Sequence, residues 1–196
     1  MLGAAAFSPA RADPDDMAIG APDAKVTVVE YASITCPYCA EWNRTVFPAF
    51  KKKYVDTGQV RFVLREMLVH GDADVAGFLL ARCAGPGRYF PVFSTVLEHV
   101  PELQASDDPR PVFVHVAADF GLSEKQFDAC IADKAGFEGL RQRSRAAIAQ
   151  HVLGTPTFMV DGHVLQGEQS LEDMDAVLQP LLARPAAALT AAGGQP

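Results

Sequence analysis

The cysteine pair at positions 36 and 39 constrains this chain more than any other feature of its sequence. The motif Cys36-Pro37-Tyr38-Cys39 comes shortly after the apolar run 26–31, which places the two thiols where a strand gives way to a helix. A thiolate at a helix N-terminus is close to the positive end of the helix dipole and to unpaired N–H groups. This environment lowers the pKa of a cysteine, and the thiolate is the form that attacks disulfides. The motif therefore indicates a dithiol–disulfide pair.

A structural zinc half-site is the alternative interpretation of two cysteines separated by two residues. Zinc normally has four ligands, often from two such pairs, and the sequence contains no second C-x-x-C motif. We therefore favour redox chemistry, with Cys36 as the nucleophile because it precedes the helix and is the more exposed thiol. Cys39, one helical turn further on, is assigned as the thiol that resolves the mixed disulfide. This chemistry requires no cofactor and no metal.

The hydrophobic pattern predicts the order strand, helix, strand, helical block, strand, strand, helix along the chain. Residues 25–31 are the first strand, because they are rich in β-branched residues. Residues 60–66 are the second, because their side chains alternate as in a strand. The helix between them runs to about residue 55, and Pro48 should kink it. Residues 71–152 form the helical block.

Polar side chains predict where several helices of this block begin and which faces are exposed. Asp72 or Asp74 can cap the first helix, and Ser123 with Gln126 fits a capping box. The last helix, residues 134–151, carries alternating arginines that are expected to be a solvated face. These are Arg141, Arg143 and Arg145.

Two segments far apart in the sequence carry a family resemblance. Residues 30–39 read Glu-Tyr-Ala-Ser-Ile-Thr-Cys-Pro-Tyr-Cys, and residues 154–158 read Gly-Thr-Pro-Thr-Phe before a hairpin with an Asp-Gly turn. Together they resemble the thioredoxin superfamily and, within it, the DsbA-type thiol:disulfide oxidoreductases, over residues 24–183. The resemblance implies an α/β architecture, a thioredoxin fold with a helical domain inserted between the βαβ half and the ββα half.

The same resemblance divides the chain into domains. Residues 13–68 and 153–183 are expected to form the thioredoxin-like domain, and residues 69–152 the inserted helical domain. Residues 184–196, rich in Ala, Gly and Pro, are expected to be a disordered tail.

The first residues of the chain suggest export. Residues 1–12 are expected to be the remnant of a signal peptide, because residues 10–12 read Ala-Arg-Ala and fit the cleavage pattern of signal peptidase. An unstructured alanine-rich terminus is the alternative. The four cysteines, an even number, fit export to an oxidising compartment, so we expect a periplasmic protein.

Glu30 lies at the end of the first predicted strand, where it matches the acidic residue of the DsbA family. The resemblance implies that this carboxylate is buried beneath the disulfide and accepts or delivers the proton of Cys39. Two other interpretations remain open from the residues alone. Glu30 could be an exposed acid at a strand end, or the ion-pair partner of Arg65.

Thr155 and Pro156 match the cis-proline loop of the superfamily, which faces the active-site disulfide. The resemblance implies that Thr155 offers its backbone to an extended substrate, as in strand addition. An ordinary trans X-Pro bond is the alternative. Pro37 and Tyr38 lie between the two sulfurs and should tune the redox potential. Many oxidants of the family have valine where this chain has Thr155, which is more similar to isomerase-type loops.

The remaining two cysteines, Cys83 and Cys130, fall on apolar stripes of predicted helices in the inserted block. They form either a structural disulfide between two helices or two buried, reduced thiols. Export favours the disulfide.

Composition excludes several function classes. The net charge of −7 argues against a nucleic-acid partner, which usually requires a basic patch. An apolar fraction of 49% is sufficient for a packed core, and no run of 18 apolar residues predicts a membrane helix.

These observations predict a thiol:disulfide interchange protein that oxidises cysteine pairs in exported proteins. Its partners would be unfolded or reduced exported proteins and, by the family resemblance, a membrane reoxidase of the DsbB type; we expect a monomer. The alternatives are a periplasmic disulfide isomerase or reductase, and a non-enzymatic, metal-handling thioredoxin-like protein.

Overall fold

The computed structural model describes residues 15–185 of the chain. The predicted signal-peptide remnant, residues 1–12, and all but the first two residues of the predicted tail, 184–196, lie outside the described residues.

A mixed sheet forms the centre of the fold. The described residues contain five strands in the spatial order β1-β3-β2-β4-β5. Strands β2 and β3 are parallel, which the long helical connection between them allows, and the other neighbouring pairs are antiparallel. The strands are Met17–Ile19 (β1), Val26–Ala32 (β2), Val60–Glu66 (β3), Thr157–Val160 (β4) and His163–Gln166 (β5). The sequence pattern predicted all of these except β1, which is only three residues long.

The connection from β2 to β3 is broken into three helical pieces. Helix α1 spans Pro37–Thr45, helix α2 spans Phe47–Phe50, and a π-helix follows over Lys51–Val55. The predicted interruption is therefore present, and it begins at Val46. Pro48 lies in the first turn of α2, where a missing backbone N–H has no helical partner to lose.

The helical block lies between β3 and β4, and helix α9 (Leu171–Ala183) follows β5. This order confirms the predicted α/β thioredoxin fold with a helical insertion. Within residues 15–185, no helix combines the length and the apolar character that membrane crossing requires. The helices of the insertion are Asp72–Cys83 (α3), Pro86–Glu98 (α4), Val100–Ala105 (α5), Arg110–Asp119 (α6), Glu124–Ile131 (α7) and Lys134–Ala149 (α8).

Of the two predicted helix caps, one is confirmed and the other is wrong. The capping box of Ser123 and Gln126 at the start of α7 is confirmed. The predicted cap of α3 is wrong, because Gly71 precedes this helix and no side chain caps it. Asp74 is instead fully buried and accepts hydrogen bonds from outside its helix.

The two faces of the sheet have separate cores, because successive side chains of a strand point in opposite directions. Val28 and Ala32 of β2 lie in the larger core, which contains the aromatic side chains around Trp42. Val29 and Tyr31 lie in the smaller core under α8. Glu30 shares the face of Val28, so β2 directs it towards the core that contains α1.

A buried ionic cluster attaches the insertion to the end of β3. The carboxylate of Glu66, only 1% exposed, accepts hydrogen bonds from Arg82 Nε at 2.5 Å, Arg143 Nε at 2.6 Å and Tyr89 Oη at 3.2 Å. The prediction of a solvated arginine face is therefore wrong for Arg143, whose side chain is 13% exposed. Arg145, on the same helix, is exposed.

We expect Arg143→Ala to lower the free energy of unfolding by about 2–3 kcal/mol, because it leaves the buried carboxylate of Glu66 with one cation fewer. Arg145→Ala is the matched control on the same helix and should change it by less than about 0.5 kcal/mol. Urea unfolding of the two variants measures both values. Equal losses would show that the cluster contributes nothing specific.

Cys83, at the exposed C-terminus of α3, and Cys130, buried in α7, form a disulfide bond with a Cα–Cα distance of 5.8 Å. The bond joins positions 47 residues apart and so connects two helices of the insertion. Such a bond reduces the conformational freedom of the unfolded chain.

Replacing both cysteines of this bond, Cys83→Ala with Cys130→Ala, should lower the free energy of unfolding by about 4 kcal/mol in the chain-entropy model. Urea unfolding measures the loss, with Cys36 and Cys39 reduced in both proteins. Thiol labelling of unreduced, denatured wild-type protein is the accompanying measurement. Labels on Cys83 and Cys130 there would contradict the bond.

Candidate active site

Cys36 is the N-cap residue of α1, with an extended backbone conformation of φ −80° and ψ 126°. Pro37 follows in the first helical turn, and Tyr38 is 63% exposed. Cys36 is 4% exposed and Cys39 is fully buried, and both are free thiols. Solvent and substrates can therefore reach Cys36 more readily than Cys39.

The pKa of Cys36 is lowered from 9.0 to about 5. The largest cause is a hydrogen bond from the thiol of Cys39, and the Thr155 side chain and the backbone N–H groups of Cys39 and Tyr38 contribute further. Burial acts in the opposite direction. The helix N-terminus thus contributes through individual N–H groups, while the partner thiol has the larger effect. At neutral pH Cys36 is a thiolate.

Cys39 has the opposite electrostatic environment. Its pKa lies well above the ordinary value, first because of burial, then because it donates its hydrogen bond to Cys36 and is close to the charge of Glu30. The two cysteines of one motif therefore differ in protonation at neutral pH. Cys36 is deprotonated and Cys39 retains its proton.

Glu30 is buried, with 2% of its surface exposed, and burial raises the pKa of its carboxyl from 4.5 to about 8. The charge of Cys36 adds to this increase. Both alternatives for Glu30 are wrong. It is not exposed, and Arg65 lies beside Tyr31 on the other face of the sheet, where its guanidinium pairs with Asp16 at 2.9 Å.

The second segment of the site is the loop before β4. The Thr155–Pro156 peptide bond is cis, and Cys36 Sγ lies 3.5 Å from the carbonyl oxygen of Thr155. Antiparallel pairing brings the loop to this position, because β4 begins at Thr157, opposite Tyr31 of β2. The pairing of β2 with β4 therefore joins the two halves of the site.

Sequence reasoning missed one part of the site. Ser33 and Thr35, just before Cys36, donate hydrogen bonds to Asp74, which had been assigned only as a possible helix cap. Two hydroxyl residues ahead of the motif were the only signal. Within the described residues, no group of three or more His, Cys, Asp or Glu side chains could hold a metal ion.

The fold and this site together define a thioredoxin-type protein with a dithiol at a helix N-terminus opposite a cis-proline. The sequence pattern of the family described as Thioredoxin matches residues 12–180. The chain belongs to this family.

Related proteins are consistent with this assignment. The chain is 35% identical over 153 residues to a Rickettsia typhi protein named provisionally as a protein-disulfide oxidoreductase, covering 76% of this chain and 56% of that protein. The chain therefore spans little more than half the length of this curated relative. The crystal structure of alpha-DsbA1 from Wolbachia pipientis has a TM-score of 0.83 at 25% identity, covering 91% of this chain and 96% of that chain. Oxidised BdbD from Bacillus subtilis has a TM-score of 0.78 at 19% identity, covering 86% and 94% respectively.

The raised pKa of Glu30 predicts how the free energy of unfolding depends on pH. A carboxyl whose folded pKa is raised loses stability as the pH rises from the unfolded value of 4.5 to the folded value of about 8. Glu30→Gln should therefore stabilise the reduced protein at pH 7 by on the order of 3 kcal/mol, and by nothing below about pH 4. Denaturant unfolding at both pH values measures this. The exposed Glu98→Gln is the control, and an equal gain there, or a loss for Glu30→Gln at pH 7, would contradict the burial of an ionisable carboxyl.

Proposed function

We propose that this protein is a protein-disulfide oxidoreductase that oxidises cysteine pairs in exported proteins through the Cys36–Cys39 disulfide. The single observation that carries the proposal is the unequal protonation of the two cysteines, with the pKa of Cys36 at about 5 and that of Cys39 well above its ordinary value. A stabilised thiolate favours the reduced protein, so the disulfide readily takes up two electrons from a substrate.

The reaction begins when a substrate thiolate attacks Cys36 Sγ of the disulfide. The bond between Cys36 and Cys39 breaks, its electron pair goes to the sulfur of Cys39, and a mixed disulfide forms between substrate and Cys36. A second substrate thiolate then attacks the substrate sulfur, and Cys36 leaves as a thiolate. A thiolate of low pKa leaves rapidly. The substrate gains a disulfide and the protein retains both electrons as a dithiol.

Glu30 would deliver the proton that Cys39 needs as its sulfur becomes a thiol. Its pKa of about 8 keeps the carboxyl protonated at neutral pH, and its charge affects the pKa of Cys39. When the disulfide is restored, the ionised fraction of Glu30 would accept the proton of Cys39. Burial of Glu30 thus matches a proton donor and acceptor for a thiol without access to water.

The loop containing Thr155 and Pro156 would bind the substrate. The carbonyl oxygen of Thr155 is beside Cys36 Sγ, so an extended peptide lying along the loop places its own cysteine at the nucleophile. Pro37 and Tyr38 are exposed and would contact the same peptide from the side of α1. The Thr155 side chain also stabilises the Cys36 thiolate, which makes the Cys36–Cys39 disulfide a stronger oxidant.

The cellular setting follows from the same chemistry. A periplasmic location fits an oxidising compartment, in which a disulfide such as Cys83–Cys130 persists. The reduced protein would be returned to its disulfide form by a membrane reoxidase of the DsbB type. The protein would act as a monomer on unfolded or reduced exported proteins.

The test pairs two assays on the full chain, oxidation of a reduced protein substrate and repair of a scrambled one. We expect rapid oxidation, weak repair, and loss of oxidation to background in Cys36→Ser. Cys39→Ser should instead accumulate a mixed disulfide in the repair assay, because the Cys36 thiolate can attack a disulfide of the scrambled substrate and the resolving thiol is missing. Strong repair with feeble oxidation would make the protein an isomerase, and stoichiometric metal binding without turnover would make it a metal-handling protein.

A further inference from the structure

Asp74, in the first turn of α3, is fully buried and accepts five hydrogen bonds. Its Oδ1 accepts from Ser33 Oγ at 2.8 Å, from Thr35 Oγ1 at 2.8 Å and from the Thr35 N–H at 3.2 Å. Its Oδ2 accepts from the N–H groups of Val69 and His70, each at 2.7 Å. A carboxylate can accept at all of these positions, whereas a buried charge without such bonds would be costly.

The hydroxyl protons of Ser33 and Thr35 both point to Asp74, so their oxygens are left as acceptors. His70 Nδ1 lies 3.1 Å from Ser33 Oγ and 3.2 Å from Thr35 Oγ1. This arrangement assigns the proton to Nδ1 of His70, which donates to both oxygens. In this network the imidazole donates hydrogen bonds to the two hydroxyls, and the two hydroxyls donate to one carboxylate.

The residues held by this network form the turn that leads into Cys36. The N–H of Cys36 itself donates to the carbonyl oxygen of Ser33 at 3.3 Å. Val69 and His70 lie in the connection from β3 to α3. One carboxylate of the insertion therefore joins the start of α3 to the backbone that presents Cys36.

A second contact joins the same two segments. Ile34, fully buried in the middle of the turn, packs against Gly77, which lies one helical turn after Asp74. A Cβ atom added at Gly77 would lie 2.7 Å from Ile34 Cγ2, which is closer than side chains approach. Helix α3 therefore contacts the turn in two ways. Asp74 accepts its hydrogen bonds, and Gly77, which has no side chain, lets Ile34 pack closely against the helix.

We propose that Asp74 is a positioning residue for thiol–disulfide exchange, which holds the turn 33–35 against α3 so that Cys36 Sγ meets the carbonyl of Thr155 and the N–H groups of α1. This proposal rests on the redox role of Cys36 given above. It assigns to the inserted helical block a direct part in setting the reactivity of the thiol.

A positioning role and a purely electrostatic role of Asp74 predict opposite changes in the pKa of Cys36. A negative charge near a thiol raises the pKa of that thiol, so removal of a purely electrostatic Asp74 would lower the pKa of Cys36. Loosening of the turn would withdraw donors from the Cys36 thiolate and raise this pKa. A variant that keeps the charge of Asp74 and removes one of its donors isolates the positioning effect.

The experiment uses Thr35→Val in the full chain, which removes the hydroxyl and retains the shape and the backbone N–H. Thr35→Ser restores the hydroxyl and is the conservative rescue. Tyr89→Phe is the matched control, because it removes a different hydroxyl bond to a buried carboxylate, that of Glu66. The pKa of Cys36 is read from thiolate absorbance, and the redox equilibrium from mixtures with glutathione.

We expect Thr35→Val to raise the pKa of Cys36 by about one unit and to shift the glutathione equilibrium about tenfold towards the disulfide, a potential about 30 mV less oxidising. Thr35→Ser and Tyr89→Phe should remain within about twofold of wild type in that equilibrium. Gly77→Ala, which pushes Ile34 and leaves every polar group in place, should act in the same direction as Thr35→Val.

A Thr35→Val protein with an unchanged or lowered pKa at Cys36, or an equal shift in Tyr89→Phe, would overturn the proposal. Both measurements need only the two active-site thiols and glutathione. They therefore decide the role of Asp74 even if the wild-type protein fails to oxidise a protein substrate, a result that would reject the proposed function alone.

Discussion

The antiparallel pairing of β2 with β4 is the interaction on which the site depends. It places the cis loop of Thr155 and Pro156 beside Cys36, although the two are 119 residues apart in the chain. Without it, Cys36 would still have the N–H groups of its own helix, but it would lack the side-chain hydrogen bond of Thr155 that also lowers its pKa. The pairing also leaves the Thr155 carbonyl next to the thiol. One register of strand pairing thus sets the environment of the thiol and, in the proposed function, the position of the substrate backbone as well.

The buried carboxyl of Glu30 lowers the free energy of unfolding at neutral pH. Burial of Glu30 raises the pKa of its carboxyl to about 8, so the folded protein is destabilised at neutral pH by a group that an amide would replace at no such penalty. In the proposed function the same burial prepares the carboxyl to exchange a proton with Cys39. A buried ionisable group that weakens the fold is expected where it takes part in a reaction.

Two buried carboxylates attach the helical insertion to the sheet, and they do so in different ways. Glu66, at the end of β3, forms ion pairs with Arg82 of α3 and Arg143 of α8. Asp74 is surrounded by hydroxyl and N–H donors, which belong to the turn before Cys36 and to the connection into α3. The first connection fixes where the insertion lies. In our proposal the second connection positions Cys36, because Ser33 and Thr35, which donate to Asp74, lie in the same short stretch of backbone as the thiol.

The family resemblance implied the βαβ and ββα halves with a helical insertion between them. The residues themselves were sufficient for the redox motif, for the order of strands and helices, and for the hairpin with its Asp-Gly turn. These features depend on local periodicity, turn residues and the position of Pro37, all of which can be recognised in short segments. Only the tertiary structure decided which face of β2 carries Glu30, that Arg143 pairs with the buried carboxylate of Glu66, and that Asp74 accepts hydrogen bonds from the turn before Cys36. The three-residue strand β1 was likewise too short for its pattern to be distinctive. The physical reason is that burial and the choice of hydrogen-bond partners depend on which distant segments meet, and an arginine or aspartate near a helix end has the same local pattern whether it is solvated or enclosed.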